Sequence, residues 1–229
     1  NAVWADPLQV PESPAAASIF DPPWQGLDDA SLLAHYRSRT TVQVTPVIDA
    51  DETAAGKIDA LLAGRFSFNG ETHTLPEPVD WLANPSADVE WHILLHKFYY
   101  APGLAMAWRR SGDARYLQCW ARLIDGWMRS VPPGFIAADV TGRRVQNWIY
   151  GHRLIVAPDK HAAIDPAWHR RLLESIHTQV EFLCANLTPK RNHRTLELLA
   201  IFLAGAMFPE MRRAAAWREF ALAETAANL

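Results

Sequence analysis

Gly112-Asp113-Ala114-Arg115-Tyr116-Leu117-Gln118-Cys119-Trp120-Ala121-Arg122-Leu123-Ile124-Asp125-Gly126-Trp127 is the stretch that decides the fold. Tyr116, Trp120, Leu123 and Trp127 recur at spacings of four, three and four, the period of one helix face. Gly112 is a helix stop and Asp113 an N-cap, so one helix ends where the next begins. Two helices joined by so short a link fold back on each other.

The same punctuation recurs in both directions from this stretch. Upstream, Trp91, Leu94, Leu95 and Phe98 form an apolar stripe, with Asn84-Pro85 as a helix start. Downstream, Pro132-Pro133-Gly134 is a break. Val145, Trp148, Ile149, His152 and Val156 then mark a helix that Pro158 ends. Asp165-Pro166 places an N-cap before a proline at the first helical position. That helix carries Trp168, Leu172, Ile176, Val180, Leu183 and Leu187, and Pro189 ends it. His193 to Phe208 reads as a further helix, and Pro209-Glu210 opens a last one containing Met211, Trp217, Phe220 and Leu222. Near the start, Asp28 to Arg39 and Thr53 to Ala63 read as two short helices. Phe66 to Leu75, alternating around Asn69-Gly70, reads as a β-hairpin. The expected fold is all-α: an antiparallel helix-hairpin array, either an incomplete (α/α) toroid or a plain bundle, with a small β-hairpin appended. Residues 1–26, with Pro7, Pro11, Pro14, Pro22 and Pro23, read as an extended arm, and 27–229 as the helical domain. The last helix runs to Leu229 with no polar tail, so the chain is expected to be the N-terminal part of a longer protein.

Composition sets the outer limits. The 229 residues are 49% hydrophobic and 21% charged with a net charge of −3, which excludes a disordered chain and lacks the basic field of a nucleic-acid binder. No run of 18 apolar residues occurs, so no membrane span is expected. Ten Trp suit a helical core, a sugar-stacking groove, or both. Cys119 and Cys184 fall on apolar helical faces and read as buried thiols. His92 and His96 have metal-ligand spacing, but Ile93 stands where a metalloprotease needs Glu and no third ligand is evident; no metal site is expected. There is no phosphate loop around Gly56-Lys57 and no Gly-x-Ser-x-Gly elbow.

Two segments carry chemistry. Lys190-Arg191-Asn192-His193-Arg194-Thr195-Leu196-Glu197 gathers cations, an amide and an imidazole where a helix begins. Helix N-termini attract anions, so a carboxylate or sulfate ligand suits it, with Glu197 one turn on to orient His193. A capped, solvated helix start, with Asn192 as N-cap, is the other reading. Arg143-Arg144-Val145-Gln146-Asn147-Trp148 pairs guanidinium groups, suited to bidentate carboxylate recognition, with a flat Trp face; solvated arginines beside a core Trp are equally compatible.

Taken together these residues resemble the N-terminal helical domain of heparinase II/III-like polysaccharide lyases, which include alginate and oligoalginate lyase relatives. The match rests on Phe66 to Gly70, Asp80-Trp81-Leu82-Ala83-Asn84-Pro85 and Glu90 to Lys97. It continues through Ser111 to Tyr116, Asp125-Gly126-Trp127, the Arg144-x-x-Asn147-Trp148 pattern, Asn192-His193 and Phe208-Pro209-Glu210, in the family's order. The resemblance implies a toroid followed by a β-sandwich and β-elimination on uronic-acid polysaccharides, without a cofactor, in the periplasm or outside the cell. It implies that Asn192 and His193 bind the carboxylate, with His193 also able to act as base. Arg144, Asn147, Trp148, His96, Lys97 and Arg194 are then expected to line an anionic sugar groove. His96 departs from the family's Asn or Arg. The family's catalytic Tyr is expected beyond residue 229, since Tyr36, Tyr99, Tyr100, Tyr116 and Tyr150 lie outside its motif. The expected partner is an acidic polysaccharide, not nucleic acid or membrane. A second reading is a non-catalytic glycan-binding module for exopolysaccharide handling; a third is an inverting glycosidase, for which Glu90, Glu197 and Glu210 are available but nothing pairs them.

Overall fold

A computed structural model of the chain describes residues 18–41, 44–189 and 191–228. Most of the arm expected over 1–26, and Lys190 of the cationic cluster, lie outside the described residues.

A single 3-10 turn, Trp24–Gly26, leads into α1 (Asp29–Ser38), where the Asp28 carboxylate accepts from the Ser31 N–H. α2 spans Ala55–Leu61. β1 (Arg65–Phe68) and β2 (Glu71–Thr74) pair antiparallel, Phe66 opposite His73 and Phe68 opposite Glu71. Asn69 and Gly70 turn the hairpin with φ of 49° and 79°, the two positive values that a two-residue type I′ turn demands. α3 (Val89–Lys97) starts four residues later than Asn84-Pro85 suggests, because Asp88 supplies the cap. α4 covers Tyr100–Ser111 and ends at Gly112 (φ 74°), with Asp113 capping α5 (Ala114–Ser130). α6 runs over Ala138–Ile155. A two-residue ribbon, β3 (Val156–Ala157) with β4 (Lys160–His161), follows. α7 (Pro166–Ala185) is capped by Asp165. α8 spans Asn192–Met207 and α9 Ala214–Asn228. The last helix therefore begins later than Pro209-Glu210: those residues form a turn, and Met211 bridges to Phe20.

The helices stack in two layers. α4 packs on α6 and α6 on α8 in one row, while α5 packs on α7, and α7 carries α1. Each member of a row is separated in sequence by one returning helix, so α4, α6 and α8 run in the same direction and their N-termini share one end. This alternation is the (α/α)-toroid arrangement rather than a plain bundle. α6 is its axis: thirteen of its 18 residues are buried, including Thr141, Arg144, Gln146, Asn147 and His152.

The Trp-rich composition serves the core. Trp81, Trp91, Trp120, Trp127, Trp148 and Trp217 are all under 2% exposed. Trp148 meets Trp127 and Phe98 edge-on, with ring centroids 5.4 Å apart in each pair. Such aromatic pairs each contribute about 0.5–1.5 kcal/mol beyond the area they bury. Cys119 is buried and Cys184 partly so, and both are free thiols. Burial pushes the Cys119 thiol up to about 12. Among the described residues no helix is long and apolar enough to cross a membrane.

Candidate active site

Helix ends provide the starting point. Asp side chains cap α1, α3, α5 and α7. The three helices of the α4–α6–α8 row have no side-chain cap at all. At α4 the preceding chain closes that end, since the Ala101 N–H donates to the Phe98 carbonyl at 3.0 Å and Pro102 has no N–H. At α6 and α8 no side chain caps the first-turn N–H groups, and the helix dipoles add a positive potential there. At α8 the entry residue is Arg191, with φ 79° and ψ −165°, a conformation costly for a residue with a side chain. At α6 the entry loop holds Ile136 at φ 74°. Strained backbone thus borders both helix ends.

Asn192 and His193 stand here in the first turn of α8, both exposed. The His193 side chain is 64% exposed, and its Nδ1 lies 2.9 Å from Oδ2 of Asp139, in the first turn of α6. Asp139 is itself only 16% exposed. A carboxylate accepts the Nδ1 proton, which leaves Nε2 as the atom turned outward. Asp139 escapes sequence reasoning because 54 positions separate it from its partner. The available signal is positional: an acid in the first turn of the helix that precedes α8 in the same row.

The expected partner Glu197 does something else. It is fully buried, accepting from the Thr188 backbone N–H at 2.8 Å and from the Thr188 hydroxyl at 2.5 Å. It pins the loop before α8 rather than orienting the His193 ring. Arg194 turns back as well, donating to the Thr188 carbonyl at 3.2 Å and pairing with Glu224 of α9. Asn192 is the first residue of α8, not its cap.

The Arg144-x-x-Asn147-Trp148 pattern is a packing device. Arg144 is completely buried; its Nη1 donates to the His96 carbonyl at 3.3 Å, Nε to Gln179 at 2.7 Å and Nη2 to the Thr141 hydroxyl at 3.1 Å. Asn147, one turn on, donates to the Lys97 carbonyl at 2.8 Å. Together they satisfy the last carbonyls of α3, where Phe98 leaves the helix at φ 56°. Among the described residues no carboxylate bonds to Arg144, and burial lowers its pKa to about 9. His96 is equally sealed. Its Nδ1 accepts from the Trp127 indole N–H at 3.0 Å, so Nε2 carries the proton and donates to the Trp81 carbonyl at 2.9 Å. Burial, with the Arg144 charge next, holds it down to about 3, hence neutral. Direct contact of Arg144, Trp148 or His96 with a ligand, expected from the sequence, is closed by this burial; they form the floor behind the site. Lys97 remains partly exposed, 3.5 Å from Glu90.

The arginine that does reach the open face is Arg143. It sits one turn beyond Asp139 on α6, over the Tyr99 ring at 5.9 Å, with Nη1 donating to Gln146 at 3.1 Å. Gln146 in turn donates to the Leu196 carbonyl of α8 at 2.7 Å.

Comparison with known proteins gives the family of the chain. The chain is 25% identical over 220 residues to a heparin-sulfate lyase of Bacteroides stercoris, covering 82% of this chain and 33% of that one. It is 26% identical over 214 residues to a heparin-sulfate lyase of Pedobacter heparinus, covering 84% and 32%. The chain thus spans about a third of the length of the curated relatives it matches. Two solved structures share the fold. One is a heparinase III (TM-score 0.75, 23% identity, 87% of this chain and 35% of that one). The other is the heparan sulfate lyase HepC of Pedobacter heparinus (TM-score 0.74, 23% identity, 87% and 34%). The family model described as Heparinase II/III N-terminus matches residues 26–229, and the chain belongs to that family.

Proposed function

We propose that this chain supplies the helical part of a polysaccharide lyase that cleaves a uronate-containing acidic glycan, of the heparan sulfate class that its relatives' names carry. The observation that supports it most is the His193–Asp139 pair, beside Asn192, where α6 and α8 both begin without a side-chain cap.

The chemistry follows from the substrate. The C5 proton of a uronate is poorly acidic until its carboxylate is neutralised. Asn192 and the free N–H groups of the first turn of α8 take that carboxylate and hold the charge that grows on it. With Asp139 fixing the proton on Nδ1, His193 presents the Nε2 lone pair and takes the C5 proton. The electron pair left at C5 forms the C4–C5 double bond, and the C4–O4 bond breaks. The departing O4 receives a proton from an acid, the role that the family resemblance gives to a Tyr beyond residue 229. In this reading Arg194 and Lys97 shape the rim. Catalysis in the periplasm or outside the cell is part of the proposal.

The test is turnover by the full-length protein, followed as unsaturated-uronate absorbance on heparan sulfate, alginate and hyaluronan. Product on at least one, with His193→Ala and Asn192→Ala each losing about 10²–10³ in rate, is the expected result. Binding without product on every polymer leaves a glycan-binding module instead.

A further inference from the structure

Half of the arginines are matched to acids. Arg39 pairs with Glu210, Arg109 with Asp159, Arg115 with Asp113, Arg129 with Asp125, Arg170 with Asp29, Arg194 with Glu224 and Arg213 with Glu181. Arg143, half-buried near the start of α6, belongs to the other half. Among the described residues it makes no ion pair, and its one hydrogen bond goes to a neutral amide. Its Nε is buried and unpartnered. An arginine left with spare donors is costly unless something else satisfies them.

Its place is as specific as its lack of partners. Asp139 and Arg143 are four apart on α6, so their side chains rise about 5–6 Å from one another on one face. Asp139 holds His193, so Arg143 and the Asp139–His193 pair share the N-terminal end of α6. The fork is kept in place rather than left to swing. The Tyr99 ring lies beneath it at 5.9 Å, and Gln146, anchored on the Leu196 carbonyl, holds Nη1. A preorganised, unpaired guanidinium is the donor set for bidentate recognition of a carboxylate or sulfate.

We propose that Arg143 is a specificity-determining residue that binds an anionic group, carboxylate or sulfate, on the sugar next to the one held at Asn192 and His193. The location of that subsite rests on the lyase reading; the binding of an anion by Arg143 is measured separately from turnover.

The experiment is calorimetric titration of the full-length protein with a size-defined heparan sulfate oligosaccharide and with the same oligosaccharide after chemical desulfation. Wild type, Arg143→Gln, Arg143→Lys and the surface control Arg110→Gln are compared at several salt concentrations, with KM and kcat taken alongside. The expected loss for Arg143→Gln is about 10- to 100-fold in Kd and KM, the range of a hydrogen bond to a charged group, with kcat within about twofold. Arg143→Lys keeps the charge but not the fork and falls between. The salt dependence of Kd flattens for Arg143→Gln and stays unchanged for Arg110→Gln. A loss confined to the sulfated ligand identifies sulfate as the bound group, and an equal loss on both identifies carboxylate; either supports the proposal. Unchanged Kd in a folded Arg143→Gln overturns it, as does a wild type that binds neither ligand. Weaker binding by the variant in a protein that never forms unsaturated product sinks the lyase reading and leaves this one standing.

Discussion

The guanidinium carbon of Arg144 lies 3.8 Å above the ring of Trp127, and the Trp127 indole N–H reaches His96 at 3.0 Å. A cation, an indole and a neutral imidazole thus close one circuit, because Arg144 itself holds the His96 carbonyl. Cutting Arg144 back to Ala leaves a cavity and strips Gln179, the His96 carbonyl and the Thr141 hydroxyl of their donor. The expected loss of stability is about 3–5 kcal/mol. Arg143→Gln, on the adjacent position but at the surface, is expected within about 0.5 kcal/mol. Urea unfolding of the two variants side by side measures the contrast; equal midpoints refute it.

Asp139→Asn retains the size of the side chain but donates as well as accepts, so it no longer fixes the His193 tautomer. We expect turnover to fall by about 10², the scale of a misplaced catalytic group, with thermal stability unchanged. Nitrogen NMR of the His193 ring gives a readout that a structural role leaves alone: Nδ1–H predominates in the wild type and the tautomers mix in the variant.

Three buried imidazoles make the fold acid-sensitive. Burial first, then the charge of Arg144, takes His96 down to about 3. Burial, then Arg37, Arg39 and Arg170, takes His169 to about 3. His152, 2.9 Å from His169, is held well below its ordinary value by burial, with His169, Arg39 and Arg153 adding to it. The unfolded chain takes up these protons below about pH 6.5 and the folded chain does not, so stability is complete above that value and drains as pH falls toward 3. Between pH 7.5 and 5.5, across the free imidazole value, each His loses about 1.4 kcal/mol and the three together about 4 kcal/mol. Denaturant titrations at the two pH values check this, and a flat profile rejects it.

Gly142 sets the spacing between the two helices of the site. A Cβ placed there meets the Glu197 Cα at 3.1 Å, across the α6–α8 contact. Gly142→Ala gains about 1 kcal/mol in helix propensity and loses about 1–3 kcal/mol to overpacking. Net stability therefore changes little. Catalysis is expected to suffer more, since Asp139 and His193 straddle this contact. A variant with lower rate and an unchanged melting point meets the prediction; full activity contradicts it.

The residues differ in how openly they announce these roles. Asn69-Gly70 declares its hairpin because only one turn type accepts two positive φ values in a row. Asp113 and Asp165 announce helix starts because their chemistry is local. The Arg144-x-x-Asn147-Trp148 pattern misleads, since polar side chains read as solvent- or ligand-facing until a helix on all sides of them is known. α6 hides its burial for the same reason: its interior is held by hydrogen bonds from Arg144, Gln146 and Asn147, which no hydrophobic period records. Asn192 and His193 are legible as a cluster at a helix start. Asp139 is not, because the pairing depends on the row order of α6 and α8.

The strand of contacts between Phe20 and Met211 ties together regions almost the whole described length apart. The Asp21 backbone N–H donates to the Glu210 carbonyl at 2.9 Å, and the Arg212 N–H to that of Ile19 at 3.0 Å. On the ribosome, the earliest of these partners waits while some 190 residues are synthesised, about 10–40 s at ordinary elongation rates. The last hairpin has no docking site for Met211 until both ends have emerged. Assembly at this seam is therefore a late, post-synthetic event, and a polypeptide interrupted before Glu210 carries Phe20 uncovered.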